Sequence, residues 1–233
     1  MSVSRHPAVL HILPSVVSYQ KAWKRQQQLL EDRIACRRHD TLVILEHAPV
    51  FTLGRRSHPE HMQGDLDGIY EQGYAVQEVE RGGAVTYHGP GQVVGYPVLQ
   101  LRHYCTGPKV YVGMLEEVVL RVLREWNIVG RQIEQWRGVW VGESESTLRK
   151  IAAIGIHITR GVTMHGFALN VNVDLSPFDL IVPCGIKGCH VTSLAKELGS
   201  DVDITVVKER LAHHFADVFG LDWEASHSLS MIP

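Results

Sequence analysis

The chain has 233 residues, of which 45% are hydrophobic and 21% are charged, and 23 lysines and arginines stand against 25 aspartates and glutamates for a formal net charge of -2. This composition is typical of a globular protein and excludes a disordered or fibrous chain. A near-neutral charge gives no sign of the basic patch that nucleic-acid binders carry, so we expect no nucleic-acid partner.

The N-terminal segment and the cysteines favour a cytoplasmic location. The apolar run 8–17 is interrupted by His11 and Pro14 and follows no basic segment, so it is not predicted to be a signal peptide. No stretch approaches the length of a membrane span, and we expect no membrane partner. The four cysteines form no CxxC pair and are too few for a disulfide framework; they are Cys36, Cys105, Cys184 and Cys189. We therefore expect free thiols, which are typical of a reducing compartment.

The N-terminal half predicts one helix followed by strands. An amphipathic helix is expected over 18–36, where four large residues recur near helical spacing: Tyr19, Trp23, Leu30 and Ile34. The β-branched run 41–45 predicts a buried strand. Residues 78–101 alternate glycine-rich turns with strand-like pieces. A strand is expected around 93–99, and Pro97 predicts that it lies at an edge or a bulge, because proline has no N–H for the ladder.

The C-terminal half predicts three helices and three strands. A helix is expected over 110–126 with an apolar stripe at helical spacing, made of Leu115, Val118, Val119, Val122, Leu123 and Trp126. Strands are expected at 139–141, 151–158 and 167–173. A short helix over 191–198 should end at Gly199. Thr205 is predicted to cap a last helix, whose inward residues are Val207, Leu211, Phe215 and Val218. These elements predict an α/β fold of the α+β type.

The segment 81–92, RGGAVTYHGPGQ, is the first candidate for function. Four glycines in twelve residues suggest a loop whose backbone approaches a ligand closely. Arg81 can offer a fork of donors to an anion. The alternative is a turn-rich hairpin with ordinary glycine and proline punctuation, and composition alone does not separate the two. The segment matches neither a P-loop nor a dinucleotide fingerprint.

The second candidate is the predicted hairpin 150–173, because each strand has one bulky face and one face of small or polar residues. The small residues Ala153, Gly155, Gly166 and Ala168 leave room for a ligand to lie against the sheet. The alternative is that another strand or helix packs there.

The third candidate is Cys184, which lies between Pro183 and Gly185 and so is suited to an exposed nucleophile. A free cysteine is more often a small buried hydrophobe than a catalyst. A nearby ammonium such as that of Lys150 would lower the pKa of the thiol and favour the reactive thiolate. A solvated lysine is the alternative reading of Lys150.

A metal site is not predicted. Cysteines and histidines near the C-terminus provide candidate zinc ligands, but they show no standard ligand spacing; they are Cys184, Cys189, His190, His213 and His214.

Three blocks of this sequence resemble the octanoyltransferase family, also called lipoate-protein ligase B. They are RGGAVTYHGPGQVVGYPVLQL (81–101), RKIAAIGIHITRGVTMHGFALNVNVD (149–174) and PCGIKGCHVTSLAKELG (183–199). The resemblance implies one domain over 1–233, similar to the catalytic core of biotin and lipoate ligases, with a mixed sheet flanked by helices. The tail from about residue 220 shows no match.

The resemblance also implies the reaction. Octanoyl-acyl carrier protein would donate the acyl group to a lysine of a lipoyl domain, in a 2-oxoacid dehydrogenase E2 subunit or the glycine cleavage H protein. The group would pass through an acyl-cysteine thioester. No cofactor is expected, because a thioester is already activated. Two alternatives stay open: an ATP-dependent lipoate or biotin ligase of the same fold, and a non-catalytic binding paralogue in which Cys184 is structural.

Residue by residue, Cys184 matches the family's nucleophile and Lys150 the lysine that lowers its pKa. The family often has serine at the position of Ala153, where alanine keeps the backbone contacts. Three stretches match the substrate-binding residues: Arg81, Gly82, Gly83, Ala84, Val85, Thr86, Tyr87 and His88, then Ala153, Ile154 and Gly155, then Gly166, Phe167 and Ala168.

Overall fold

The computed structural model describes residues 5–63, 66–182 and 189–224. Within these ranges the helices and strands are β1 (His6–Val17), α1 (Tyr19–Ile34), β2 (Asp40–His47), β3 (Val50–Leu53), α2 (Leu66–Glu71), β4 (Ala75–Glu78), β5 (Val85–His88), β6 (Gln92–Val98), α3 (Pro108–Glu125), β7 (Gly130–Ile133), β8 (Trp136–Val141), β9 (Arg149–Thr159), β10 (Val162–Asn170), β11 (His190–Val191), α4 (Leu194–Leu198), α5 (Ile204–Phe219) and β12 (Leu221–Glu224).

Most of the described strands form one mixed sheet in the order β12-β1-β2-β6-β10-β9-β8-β7, and β11 pairs with β9. The pairs of β1 with β2 and β12 and of β11 with β9 are parallel, and the other pairs are antiparallel. A smaller, three-stranded sheet has the order β4-β3-β5, and its strands come between β2 and β6 in the sequence. The predicted mixed sheet flanked by helices is confirmed.

Helices cover both faces of the large sheet because its strands are apolar on both sides. α3 and α5 pack together against one face, around residues such as Leu115, Phe167 and Phe215. α1 packs on the other face against β10, β6 and β2. Ser18 caps α1 by accepting the N–H of Lys21. The buried residues of α1 are Tyr19, Ala22, Gln26 and Leu29, so its inward stripe is rotated from the predicted one.

Three local predictions are wrong in detail. β6 is an interior strand, so Pro97 is not at an edge: its carbonyl accepts the Thr163 hydroxyl, which also accepts the N–H of Leu99. Side-chain hydrogen bonds therefore replace the ladder where proline has no N–H. The fourth helix begins only at Leu194, because His190–Val191 pair with β9.

The last helix is capped by Asp203 and not by Thr205, since the Asp203 carboxylate accepts the N–H of Thr205. Among the described residues, none of the helices combines the length and the apolar character that crossing a lipid bilayer requires.

Candidate active site

A pocket of about 460 Å³, counting the space open to solvent at its mouth, lies on the α1 side of the large sheet. Its floor is set by strand register. Ala168 of β10 is opposite both Val94 of β6 and Ala153 of β9. Two residues before Ala168, on the same face of β10, Gly166 is opposite Gly155. Small side chains on three neighbouring strands thus leave a channel above the sheet.

The segment 81–85 forms the roof of this pocket. The N–H of Gly82 donates to Ile156 O at 2.9 Å and ties the loop to β9. The Arg81 guanidinium donates to the backbone carbonyl and hydroxyl of Thr52 in β3. A Cβ at Gly155 would lie 2.9 Å from Gly82 O and 3.1 Å from the Arg81 side chain. Glycine is therefore required where roof and floor meet.

Tyr19, Tyr96 and the imidazole of His88 form the side wall, and His47 contacts all three without lining the pocket. Burial lowers the pKa of His47 to about 4 and that of His88 well below its ordinary value. His47 Nδ1 donates to Val17 O, and its Nε2 accepts the Tyr96 hydroxyl at 2.6 Å. The rings of Tyr19, His47 and His88 form a triangle, with centroids 5.0 Å apart for Tyr19–His47, 5.9 Å for Tyr19–His88 and 5.7 Å for His47–His88. The wall is aromatic and uncharged at neutral pH, which suits an apolar ligand.

A chain of buried hydrogen bonds marks one end of the floor. His88 Nδ1 donates to Gln92 Oε1 at 2.6 Å, and Gln92 Nε2 donates to Asn170 Oδ1 at 2.8 Å. Asn170 Nδ2 donates in turn to Thr192 O at 2.9 Å. The N–H of Thr192 donates to Lys150 O. The relay therefore connects the pocket wall with the backbone at Lys150.

Lys150 is buried, and a β-bulge determines which face of the sheet it occupies. In the pairing of β8 with β9, Val139 is opposite Ala152 but Trp140 is opposite Lys150. Ile151 and Ala152 both pack into the core on the face of the sheet that α3 and α5 cover. Without the bulge, strict alternation would put Lys150 on that side as well; the extra residue puts it on the side of Ala153 instead.

The side chain of Lys150 is held by its neighbours in β8. Its Nζ lies 4.5 Å from the centroid of the Trp140 ring, a cation–π contact. Gly138 packs beside the alkyl chain: a Cβ there would lie 3.5 Å from Lys150 Cε, an ordinary contact, but 2.4 Å from Ala152 O, so the backbone of β9 is what requires glycine.

The structure brings together nearly all of the predicted substrate-binding residues. The three stretches line the pocket with the exception of Tyr87. Tyr87 belongs to β5 of the small sheet, and its ring packs against Phe51 and Phe178. Burial raises the pKa of Tyr87 to about 12. Cys184 lies outside the described residues. The described strand that follows it, His190–Val191, pairs in parallel with Arg149 and Lys150.

Four lining residues were missed by the sequence analysis: Tyr19, Val94, Tyr96 and His165. Alternation along β6 puts Val94 and Tyr96 on the face of Gln92, but only the register with β10 shows that this face is the pocket floor. His165 has a φ of 58° inside β10, a conformation that no sequence pattern indicated.

A cluster near the end of α5 has the residue types of a metal site. His213, His214 and Asp217 place ligand atoms within 4.8 Å of one another. His214 Nε2 already contacts Glu125 at 2.5 Å, and Asp217 pairs with Arg5 at 3.0 Å. These contacts compete with a metal ion, and the prediction of no metal site stays a prediction.

Comparison with known proteins supplies a family for this architecture. Residues 18–216 match the family model of the lipoyl protein ligase A/B catalytic domain. An octanoyltransferase of Chloroflexus aurantiacus is 44% identical over 207 residues, covering 88% of this chain and 92% of its own. An octanoyltransferase of a Roseiflexus species is 43% identical over 208 residues, covering 89% and 85%.

A solved structure of a bipartite lipoate protein ligase from Thermoplasma acidophilum shares the fold. It superposes with a TM-score of 0.70 at 17% identity and covers 98% of this chain and 88% of its own.

Proposed function

The chain belongs to the octanoyltransferases of the lipoyl protein ligase A/B catalytic domain family, and from this membership we propose the partners and the chemical route of its reaction. The protein is an acyltransferase of protein lipoylation, with an acyl donor and a lipoyl-domain acceptor. We propose that the donor is octanoyl-acyl carrier protein. The proposed acceptor is one lysine of a lipoyl domain, in E2 subunits of 2-oxoacid dehydrogenases or in the glycine cleavage H protein.

The observation that carries the proposal is the channel of small residues above the sheet. Ala153, Ala168, Gly155 and Gly166 leave an apolar slot under a glycine-rich roof. The neutral imidazole of His88 in the side wall adds no charge to it. An unbranched acyl chain gains about 0.8 kcal/mol for each methylene that it buries there.

Cys184 is the proposed nucleophile and Lys150 the proposed partner that favours its thiolate. The bulge supports this pairing, because it directs Lys150 to the side of the sheet that carries the acyl channel. The pairing of Val191 with Lys150 supports it as well, because it brings the chain shortly after Cys184 alongside the lysine. A buried ammonium next to a thiol stabilises the thiolate and makes it reactive near neutral pH.

The route has two steps, each of which exchanges one bond at the carbonyl carbon. The Cys184 thiolate attacks the octanoyl thioester; a new C–S bond forms, and the carrier's thiol leaves as a thiolate that takes a proton. The acceptor amine then attacks the acyl-Cys184. The amide bond forms as the C–S bond to Cys184 breaks, the amine nitrogen releases a proton to solvent, and the Cys184 thiolate is regenerated beside the Lys150 ammonium. The route uses no cofactor, because the energy of the amide bond comes from the thioester.

We also propose that residues 1–233 act as one catalytic domain in the cytoplasm. The family model spans 18–216, which supports the first point. Cys36 and Cys105 are free thiols, which is typical of a reducing compartment and supports the second.

Intact-mass spectrometry tests the route. Incubation with octanoyl-acyl carrier protein in the absence of ATP should add one octanoyl group, which hydroxylamine removes and a lipoyl domain accepts. Cys184→Ser should abolish the hydroxylamine-sensitive adduct. Cys189→Ser is the matched control, because Cys189 is a partly exposed cysteine close in sequence, and it should acylate normally. A thioester that persists on Cys184→Ser would refute the assignment of the nucleophile.

A further inference from the structure

A histidine with a positive φ, His165, lies at the end of the acyl channel away from Lys150. His165 is buried and lines the pocket. Its φ of 58° is unusual for a residue inside a strand. Gln26 Oε1 accepts its N–H at 3.0 Å, and its Nδ1 lies 3.4 Å from the Tyr19 hydroxyl. Its Nε2 faces the Glu80 carboxylate.

Glu80 lies behind the imidazole and fixes this end of the channel as polar. Glu80 Oε1 is 3.4 Å from His165 Nε2, and the Trp23 indole N–H donates to the same carboxylate at 3.2 Å. Burial alone would raise the pKa of Glu80, but these contacts lower it to about 2. An ionised carboxylate therefore stands where the apolar floor ends.

Strand geometry gives the length of the channel. From Asn170, at the level of the relay that reaches Lys150, to Gly166 is four residues of β10, or about 13 Å. With carbon–carbon bonds of about 1.5 Å at tetrahedral angles, an octanoyl chain extends about 9 Å and a dodecanoyl chain about 14 Å from the carbonyl carbon. If the carbonyl lies at the level of Asn170, the octanoyl chain ends over the small residues, whereas the dodecanoyl chain extends past Gly166 to the place next to His165.

We propose that His165, backed by Glu80 and the Tyr19 hydroxyl, is the specificity-determining residue that limits the length of the acyl chain. The inference rests on the proposed function, because it assumes that the carbonyl lies at the Lys150 end. A methylene forced against this wall would desolvate polar atoms without replacing their hydrogen bonds, which offsets the gain from burying it.

The test compares kcat/KM for octanoyl and dodecanoyl donors on the same carrier protein. His165→Gly removes the ring, and glycine adopts the positive φ without strain. It should raise the dodecanoyl-to-octanoyl ratio of kcat/KM about tenfold, the size of effect that added methylenes have in an apolar pocket. Tyr19→Phe, which removes one hydroxyl, should raise the ratio by a smaller factor. The ratio is independent of how much of each variant is folded.

His157→Ala is the matched control, because His157 lies on β9 and bonds to Thr159 outside the pocket lining; its ratio should equal that of the wild type. Unchanged ratios in both His165→Gly and Tyr19→Phe, with octanoyl transfer still measurable, would overturn the inference. A wild-type protein that transfers no octanoyl group would instead refute the proposed function.

Discussion

The neutral state of His47 makes the folded protein sensitive to mild acid. The side chain is fully buried, with Nδ1 donating to Val17 O at 3.0 Å and Nε2 accepting the Tyr96 hydroxyl. Protonation of His47 would place a positive charge where no solvent can stabilise it. It would also convert Nε2 from an acceptor into a donor, so the Tyr96 hydroxyl would lose its hydrogen-bond acceptor. Burial accordingly lowers the pKa of His47 from 6.5 to about 4, against a smaller opposing effect of the Val17 carbonyl.

The difference between the two pKa values sets the size and sign of the effect. Between about pH 6.5 and pH 4 the unfolded chain binds a proton at His47 that the folded chain does not, so the free energy of unfolding falls as the pH falls. The stabilisation is fully present above the unfolded pKa and is lost through this window. A separation of about 2.5 pKa units corresponds to about 3 kcal/mol.

Urea unfolding of the wild type and of His47→Gln across about pH 7 to pH 4 measures this contribution. Glutamine keeps a donor and an acceptor but does not titrate. The free energy of unfolding of the wild type should therefore fall by about 3 kcal/mol more than that of the variant. His165 is present in both proteins, so its effect cancels in the difference; His47 also lowers the pKa of His88, so the loss of that interaction in the variant is part of what the difference measures. Parallel pH profiles of the two proteins would refute the reasoning.

Three further predictions concern stability. Lys208→Met should lower the free energy of unfolding by about 3–5 kcal/mol, because the buried Lys208–Glu46 pair at 2.9 Å would leave an uncompensated carboxylate; adding Glu46→Gln should restore part of the loss, and urea unfolding of both variants checks this. Gly95→Ala should cost about 1–3 kcal/mol, because the new Cβ would lie 2.3 Å from Phe167 Cζ; a melting temperature equal to the wild type would contradict it. Asp203→Ala should cost about 1 kcal/mol by removing the cap of α5, whereas Asp203→Ser should keep most of the stability in the same assay.

Local pattern predicted the elements whose periodicity is strong. The stripe of α3 and the two-faced strands β9 and β10 follow from residue spacing alone, and the small-residue faces were correctly placed toward a cavity. Strand order could not be read in this way, because the pairing of β1 with β12 or β6 with β10 joins residues far apart in sequence. The edge position predicted for Pro97 failed for the same reason, since its place inside the sheet depends on β10, whose Thr163 hydroxyl donates to the Pro97 carbonyl and accepts the N–H of Leu99.

The residues of the candidate site likewise fall into those that the sequence identified and those that only the tertiary structure shows. The residues that resemble family motifs were identified from the sequence, and all of those described line the pocket or lie at its Lys150 end apart from Tyr87. His165 and Tyr19 were missed as pocket residues because their places depend on a local left-handed backbone and on how α1 is seated. Both are consequences of packing and not of local propensity.

The bulge in β9 makes the spacing between Lys150 and Ala153 more constrained than the chemical identity of the residues between them. If Ile151 were replaced by another apolar residue, the new side chain would still fill the core under α3 and α5. Deleting that one residue would restore strict alternation and carry the ammonium through the sheet to the side of α3, while the floor of the channel stayed intact. Insertions and deletions in this short interval should thus be far rarer among functional variants of this enzyme than substitutions there.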